Sequence, residues 1–137
     1  MWARESKTMF NDMEQEYLSS QRLGRIATVS PSGQPDVAPV SYRFDGEAFL
    51  IGGFDNTRTL KYLNVKKGQR LVAFVVDDLA STQPWTPRGI KIHGHAEIVD
   101  TPNGPVLRVT PDKKWSWGIV QPAFVDGKPV SERAQRQ

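Results

Sequence analysis

The chain has 137 residues, 38% of them hydrophobic and 24% charged, with a formal net charge of +3 and no cysteine. That length suits one domain with one core, and the balance is that of an ordinary folded globular chain. The absence of cysteine excludes disulfides, thiolate metal sites and a cysteine nucleophile, and the small net charge does not call for a nucleic-acid partner. No apolar run approaches the roughly 18 residues of a membrane span. Residues 1–10 lack the apolar segment of a secretion signal, so a soluble, cytoplasmic protein is expected.

Asn11 and Glu14 stand at capping-box spacing and open a helix over about 11–20, with Phe10, Met13, Tyr17 and Leu18 on one side. The helix ends by Leu23-Gly24. Residues 25–29 form a short strand, and Ser30-Pro31-Ser32-Gly33 reads as a turn. Residues 37–44 form a second strand, bent or at an edge because Pro39 cannot donate to a ladder. Asp45-Gly46 predicts a two-residue hairpin turn into a strand over 48–51, which ends at Gly52-Gly53.

A second helix is expected over about 57–66, with Thr57 as its N-cap and Leu60 and Leu63 facing the core. Lys66-Lys67-Gly68 ends it with cations at the negative end of the dipole. Residues 71–76 are unbroken apolar, the pattern of a strand buried on both faces. Residues 77–87 read as a loop carrying Trp85, and 89–99 as a long strand. A turn at 102–105 leads to strands over 106–109 and 114–119. The tail from about 122 is polar and expected to be partly disordered. About six short antiparallel strands with two short helices predict a mainly β chain folded as one small barrel over 1–137.

The chemistry-bearing motifs are few. No P-loop, G-x-G-x-x-G fingerprint or G-x-S-x-G elbow is present, and no carboxylate pair stands out for acid–base work. His93 and His95 share a strand face, but no third ligand is evident, so a polar strand face is favoured over a metal site. Residues 56–76 contain no acid but hold Arg58, Lys61, Lys66, Lys67 and Arg70, which suits an anionic ligand or an ordinary solvated face. Gly52 and Gly53 precede a helix start at which Arg58 and Lys61, three apart, share a face. That junction is a candidate phosphate site, against the alternative of an exposed helix end. Trp115 and Trp117 share a strand face and suit a planar aromatic cofactor, a core or a dimer interface.

At these residues the sequence resembles the flavin and deazaflavin oxidoreductases related to pyridoxamine 5′-phosphate oxidase, especially the actinobacterial group that uses coenzyme F420. Three stretches carry the resemblance: Thr59-Leu-Lys-Tyr-Leu-Asn-Val65 with Val72-Ala-Phe-Val-Val-Asp-Asp78; Pro84-Trp-Thr-Pro-Arg-Gly-Ile90 with Gly94-His-Ala-Glu97; and Leu107-Arg-Val-Thr-Pro111 with Ser116-Trp-Gly118. The hairpin over 26–51 is similar too, so the likeness runs from about residue 12 to 119. It implies a split β-barrel of the FMN-binding type, a homodimer with the cofactor in a groove between subunits. It implies that Lys61, with Thr59 and Asn64, lies near the cofactor phosphate, with Arg58 as a further anchor. It implies that Val37, Ala38, Pro39, Val40 and Ser41 line the ring system, with Arg88 and Trp117 close to the pocket. Leu60 and Leu63 stand where that group usually carries basic residues.

The expected function is hydride transfer from reduced F420 to a small electron-poor substrate, with the cofactor supplying the chemistry, which accords with the missing acid–base residues. Two alternatives stand beside it: an FMN-binding oxidoreductase, and a non-enzymatic protein that binds a cofactor, haem or another flat ligand. A nucleic-acid-binding barrel ranks last, since no aromatic binding motif accompanies the basic stretch.

Overall fold

Asn11 opens the first helix, α1 (Asp12–Ser20), in the computed structural model, which describes residues 8–53, 55–130 and 135–136. The capping box forms as the sequence spells it: the Asn11 side chain accepts from the Glu14 N–H, and the Glu14 carboxylate accepts from the Asn11 N–H, each at 2.9 Å. Next come β1 (Leu23–Val29), β2 (Pro35–Ser41), β3 (Arg43–Phe44) and β4 (Phe49–Ile51). A single turn of 3-10 helix (Asn56–Arg58) leads into α2 (Leu60–Lys66). Three long strands follow, β5 (Leu71–Thr82), β6 (Trp85–Thr101) and β7 (Gly104–Trp117), and then β8 (Phe124–Val125), β9 (Lys128–Pro129) and β10 (Gln135–Arg136).

The main sheet is antiparallel and runs β2-β1-β5-β6-β7-β4-β3, a path of seven strands where about six were expected, with β10 added beside β7. Its two ends are one stretch of chain. β2 pairs with β1 at one edge, β3 pairs with β4 at the other, and only Tyr42 separates β2 from β3. The bent segment therefore draws the sheet round on itself, which makes this a split β-barrel and leaves few free edges. The bend falls at Tyr42 rather than at Pro39. Pro39 is accommodated because β2 is an edge strand. Tyr42 is held by a hydrogen bond from its hydroxyl to the Leu18 carbonyl (2.7 Å) and by edge-on contacts with Phe49 and Phe74.

Inside the barrel, alternate residues of each strand form the core: Ile26, Val40, Phe49, Phe74, Ile90, Ile92, Leu107 and Val109, with Tyr17 and Leu18 of α1 packed on them. Burying these side chains is the main favourable term in folding. Gly24 is required by that packing, since a Cβ there would stand 2.3 Å from the Phe74 ring.

Several segments differ from the sequence reading. Residues 77–87 are not a loop. β5 continues to Thr82 and turns at Gln83-Pro84 into β6, because the polar residues pair across the ribbon, Asp78 with Arg88 in register. Residues 106–109 and 114–119 belong to a single strand, β7, which absorbs Pro111 at a bulge opposite His93/Gly94. The turn after β3 has four residues: Asp45 N–H donates to the Ala48 carbonyl, and the Asp45 carboxylate accepts from the Glu47 and Ala48 N–H groups. The N-cap of α2 is Thr59, not Thr57, because residues 56–58 are spent on the 3-10 turn. Leu60 is then 59% exposed and Leu63 half-buried, and Tyr62 and Val65 face the core instead. β5 is buried on one face only: Val72, Phe74 and Val76 point in, while Leu71 is 77% exposed. In the polar tail, β8 and β9 pair as a hairpin around Asp126-Gly127, both at positive φ. Residues 131–134 and 137 of that tail lie outside the described residues.

Candidate functional site

Three groups of polar side chains sit on this frame. The first is at α2. The helix packs against β1, β2 and β6. Its 3.6-residue period turns Lys61 and Asn64 to the same side as Tyr62 and Val65, so two polar side chains are buried with the apolar face. Asn64 donates to the Thr28 hydroxyl at 3.0 Å, and Thr28 lies opposite Asp36 in the β1–β2 register. Lys61 is only 8% exposed and has no hydrogen-bond or ion-pair partner among the described residues. Burial lowers the pKa of its ammonium below the ordinary lysine value, with the Asp36 carboxylate partly opposing the shift. A nearly buried cation without a partner is costly, and an anion bound there would relieve it. Thr59 is engaged in the cap, donating to the Asn56 carbonyl at 2.7 Å and accepting from Tyr62 N–H. Arg58 lies on the 3-10 turn rather than on the Lys61 face, exposed and 3.8 Å from Asp55. Asn56 is buried, donates to the Pro105 carbonyl at 3.0 Å and leaves its Oδ1 without a partner.

The second group is the outer face of β2, β1, β5, β6 and β7. The pleat divides the ring-lining segment expected from sequence: Val37, Pro39 and Ser41 point outward, whereas Ala38 and Val40 point into the barrel. Val37 is 69% exposed, and Val29, Leu23 and Leu71 add apolar surface on the same face. Between them lies a hollow of about 470 Å³ lined by Ala27, Val29, Leu71, Ala73, His93 and Lys113. Trp117 shares this face but stands on β7, four inter-strand steps from β2, or roughly 19 Å at about 4.8 Å per step. Within one chain the β2 residues and Trp117 therefore do not meet. His93 packs edge-on to Trp115 at 4.6 Å, and His95 Nδ1 is 3.2 Å from Asp112 Oδ2. Among the described residues no three His, Cys, Asp or Glu side chains gather as a metal site.

The third group closes the barrel end under α1. Arg88 points inward and makes a two-point contact with Asp78, at 3.0 and 2.6 Å, while the Tyr17 hydroxyl donates to the same carboxylate at 2.8 Å. Arg88 is thus separated from the β2 face and from Lys61. Its hydrogen bonds are the chief reason that the Asp78 pKa falls below the ordinary value of 3.8; burial opposes the shift and Tyr17 adds to it. Stability from this group is fully present above the ordinary value and is lost as pH falls through the lower folded one. Asp78→Asn is accordingly expected to flatten the loss of thermal stability below about pH 4. An unchanged acid limb in melting curves would show that Asp78 carries no such linkage. Beside it, Glu14 and Lys114 form a buried ion pair, at 1% and 3% side-chain exposure.

Sequence reasoning found Lys61 and Asn64 but missed Thr28 and Asp36, which only the β1–β2 register brings to α2. It also missed the Tyr17–Asp78–Arg88 and Glu14–Lys114 contacts. Only the helical phase of Glu14, shared with Tyr17 and Leu18, signalled an acid turned inward.

Comparison with known proteins places this geometry. The family model described as pyridoxamine 5′-phosphate oxidase matches residues 13–116. A 5a,11a-dehydrotetracycline/5a,11a-dehydrooxytetracycline reductase of Streptomyces rimosus is 38% identical over 120 residues, covering 80% of this chain and 84% of the relative. Among solved structures, the conserved hypothetical protein Rv2991 of Mycobacterium tuberculosis superposes with a TM-score of 0.66 at 20% identity, over 85% of this chain and 90% of the other. An F420 reductase superposes with a TM-score of 0.59 at 24% identity, over 73% of this chain and 94% of the other.

Proposed function

This chain belongs to the pyridoxamine 5′-phosphate oxidase family, and on that premise we propose that it is an F420-dependent reductase that works as a homodimer on a small electron-poor substrate. The observation that carries the reading is Lys61, a nearly buried ammonium without a partner among the described residues, at the head of the exposed face of β2. From Asp36 to Ser41 that strand extends roughly 17 Å at about 3.3 Å per residue. An elongated cofactor with an anionic end at Lys61 thus has Val37, Pro39 and Ser41 for its ring. The bound cofactor supplies hydride, and the protein holds it and shields it from water. The name of the Streptomyces relative, a reductase of dehydro compounds, supports reductive chemistry.

The dimer follows from the outer face. Leu23, Val29, Val37 and Leu71 leave a contiguous apolar surface exposed in one chain, more than a lone soluble domain ordinarily carries. A second copy laid over it removes that surface from water and turns β2 into the wall of a groove. No helix among the described residues is long and apolar enough to cross a membrane.

FMN is the second reading, favoured by one observation. With Leu60 exposed and Arg58 turned away, α2 offers a single buried cation, enough for one phosphate but sparse for a longer acidic tail. Parallel titrations with F420 and FMN, followed by tryptophan fluorescence, test the proposal. Tight saturable binding of F420 with weak binding of FMN is the expected result. Tight binding of FMN alone overturns the deazaflavin assignment, and binding of neither by a folded dimer overturns both.

A further inference from the structure

We infer that the cavity between α1 and the end of β7 is a second binding site, for a neutral, planar, fused-ring molecule with hydroxyl or carbonyl groups along one edge. The site stands on the geometry of the chain; only its identification as the substrate pocket rests on the reductase reading.

The cavity measures about 460 Å³, within the range of small-molecule sites. One wall is apolar and flat, made by Trp117, Ile119 and Pro122. The opposite wall is polar, made by Asn11, Glu14 and Ser116. The Asn11 Oδ1 is held by the Glu14 N–H, which leaves the amide NH₂ as a donor. The Ser116 hydroxyl has no partner among the described residues. Glu14 is neutralised by Lys114, so the polar wall carries no net charge. Two free hydrogen-bonding groups on an uncharged wall, facing an indole, select a flat neutral ligand with oxygen atoms on one edge.

The wall is built to keep its shape. Trp117 lies over Gly89, where a Cβ would come within 2.3 Å of the indole Cζ2. Gly118 has φ +68, and a Cβ there would stand 2.1 Å from the Pro87 carbonyl oxygen, so only glycine turns the chain at this point. A second cleft of about 490 Å³, between Trp85 and Pro87 of the β5–β6 hairpin and Phe124 of β8, meets the cavity at Pro122 and Ala123. A ligand of three or more rings has apolar room to extend there. Trp117 also ends the outer-face row that pairs through Gly89 and Asp77 toward Leu23 and Ser41, where the cofactor ring is proposed to lie.

Equilibrium dialysis of 1,8-dihydroxyanthraquinone against the whole protein tests the inference, with F420 affinity measured on the same samples. The expected result is saturable binding by wild type, weakened about tenfold or more by Ala123→Trp, which fills the cavity, and about threefold by Ser116→Ala, which removes one hydrogen bond. F420 affinity is expected to stay unchanged in both variants. No saturable binding by folded wild type, or unaltered binding in both variants, overturns the inference. Loss of F420 binding alone, with the anthraquinone still held, counts against the reductase reading and leaves the second site standing.

Discussion

Lys114→Met is expected to destabilise the fold by about 3–5 kcal/mol, the usual consequence of stripping the partner from a buried charge. Glu14 and Lys114 come from α1 and β7, 100 residues apart, and each is almost wholly excluded from water. The pair joins the helix that closes the barrel to the strand at its centre. Lys114 Nζ also lies 5.4 Å from the Phe10 ring centroid, so its surroundings are otherwise apolar. With the ammonium gone, the Glu14 carboxylate keeps only the Asn11 N–H. The double variant Glu14→Gln/Lys114→Met removes both charges while Gln keeps the capping box, and it is expected to recover most of the loss. Urea unfolding of the two variants measures this. A loss below about 1 kcal/mol in the single variant would mean the pair behaves as a solvated surface bridge.

Lys61→Glu is expected to weaken F420 binding by about a hundredfold or more, because it removes the one buried cation at α2 and puts a second carboxylate beside Asp36. Lys61→Met separates charge from shape: it keeps the packing of the stem and is expected to lose about tenfold. Neither change alters the outer apolar face, so the dimer is expected to persist. Fluorescence titration with each variant, alongside its melting curve, gives the comparison. Unchanged affinity in a folded Lys61→Glu protein would remove Lys61 from the site.

How much of this was legible in the sequence depended on the range of the interaction. The capping box of α1 and the alternation of Val72, Phe74 and Val76 are local, and they appear as written. The cap of α2 was misplaced by two residues because Thr57 and Thr59 are both good N-cap residues. The choice was made by the 3-10 turn after Gly53, which no local pattern announced. The β5–β6 ribbon was hidden because its polar residues read as a loop until their partners, Arg25 for Asp77 and Arg88 for Asp78, are seen across the sheet. The unbroken apolar run over 71–76 is the most instructive error. It reads as burial on both faces, and one chain buries only one. The exposed half is consistent with a copy-to-copy interface. Of the candidate site, Lys61 and Asn64 were found from a motif, while Arg88 and Trp117 proved to be on different faces of the barrel wall. Helix and strand phase decide which face a side chain takes, and phase shifts with every bulge and turn that the sequence does not mark.

A crystal structure of the protein with F420 bound is the most direct test of the central claim. The expected result is a dimer in which a cofactor phosphate oxygen lies about 2.7–2.9 Å from Lys61 Nζ, with the ring along Val37, Pro39 and Ser41. A cofactor seated elsewhere, with Lys61 still unpaired and β2 bare, would contradict it.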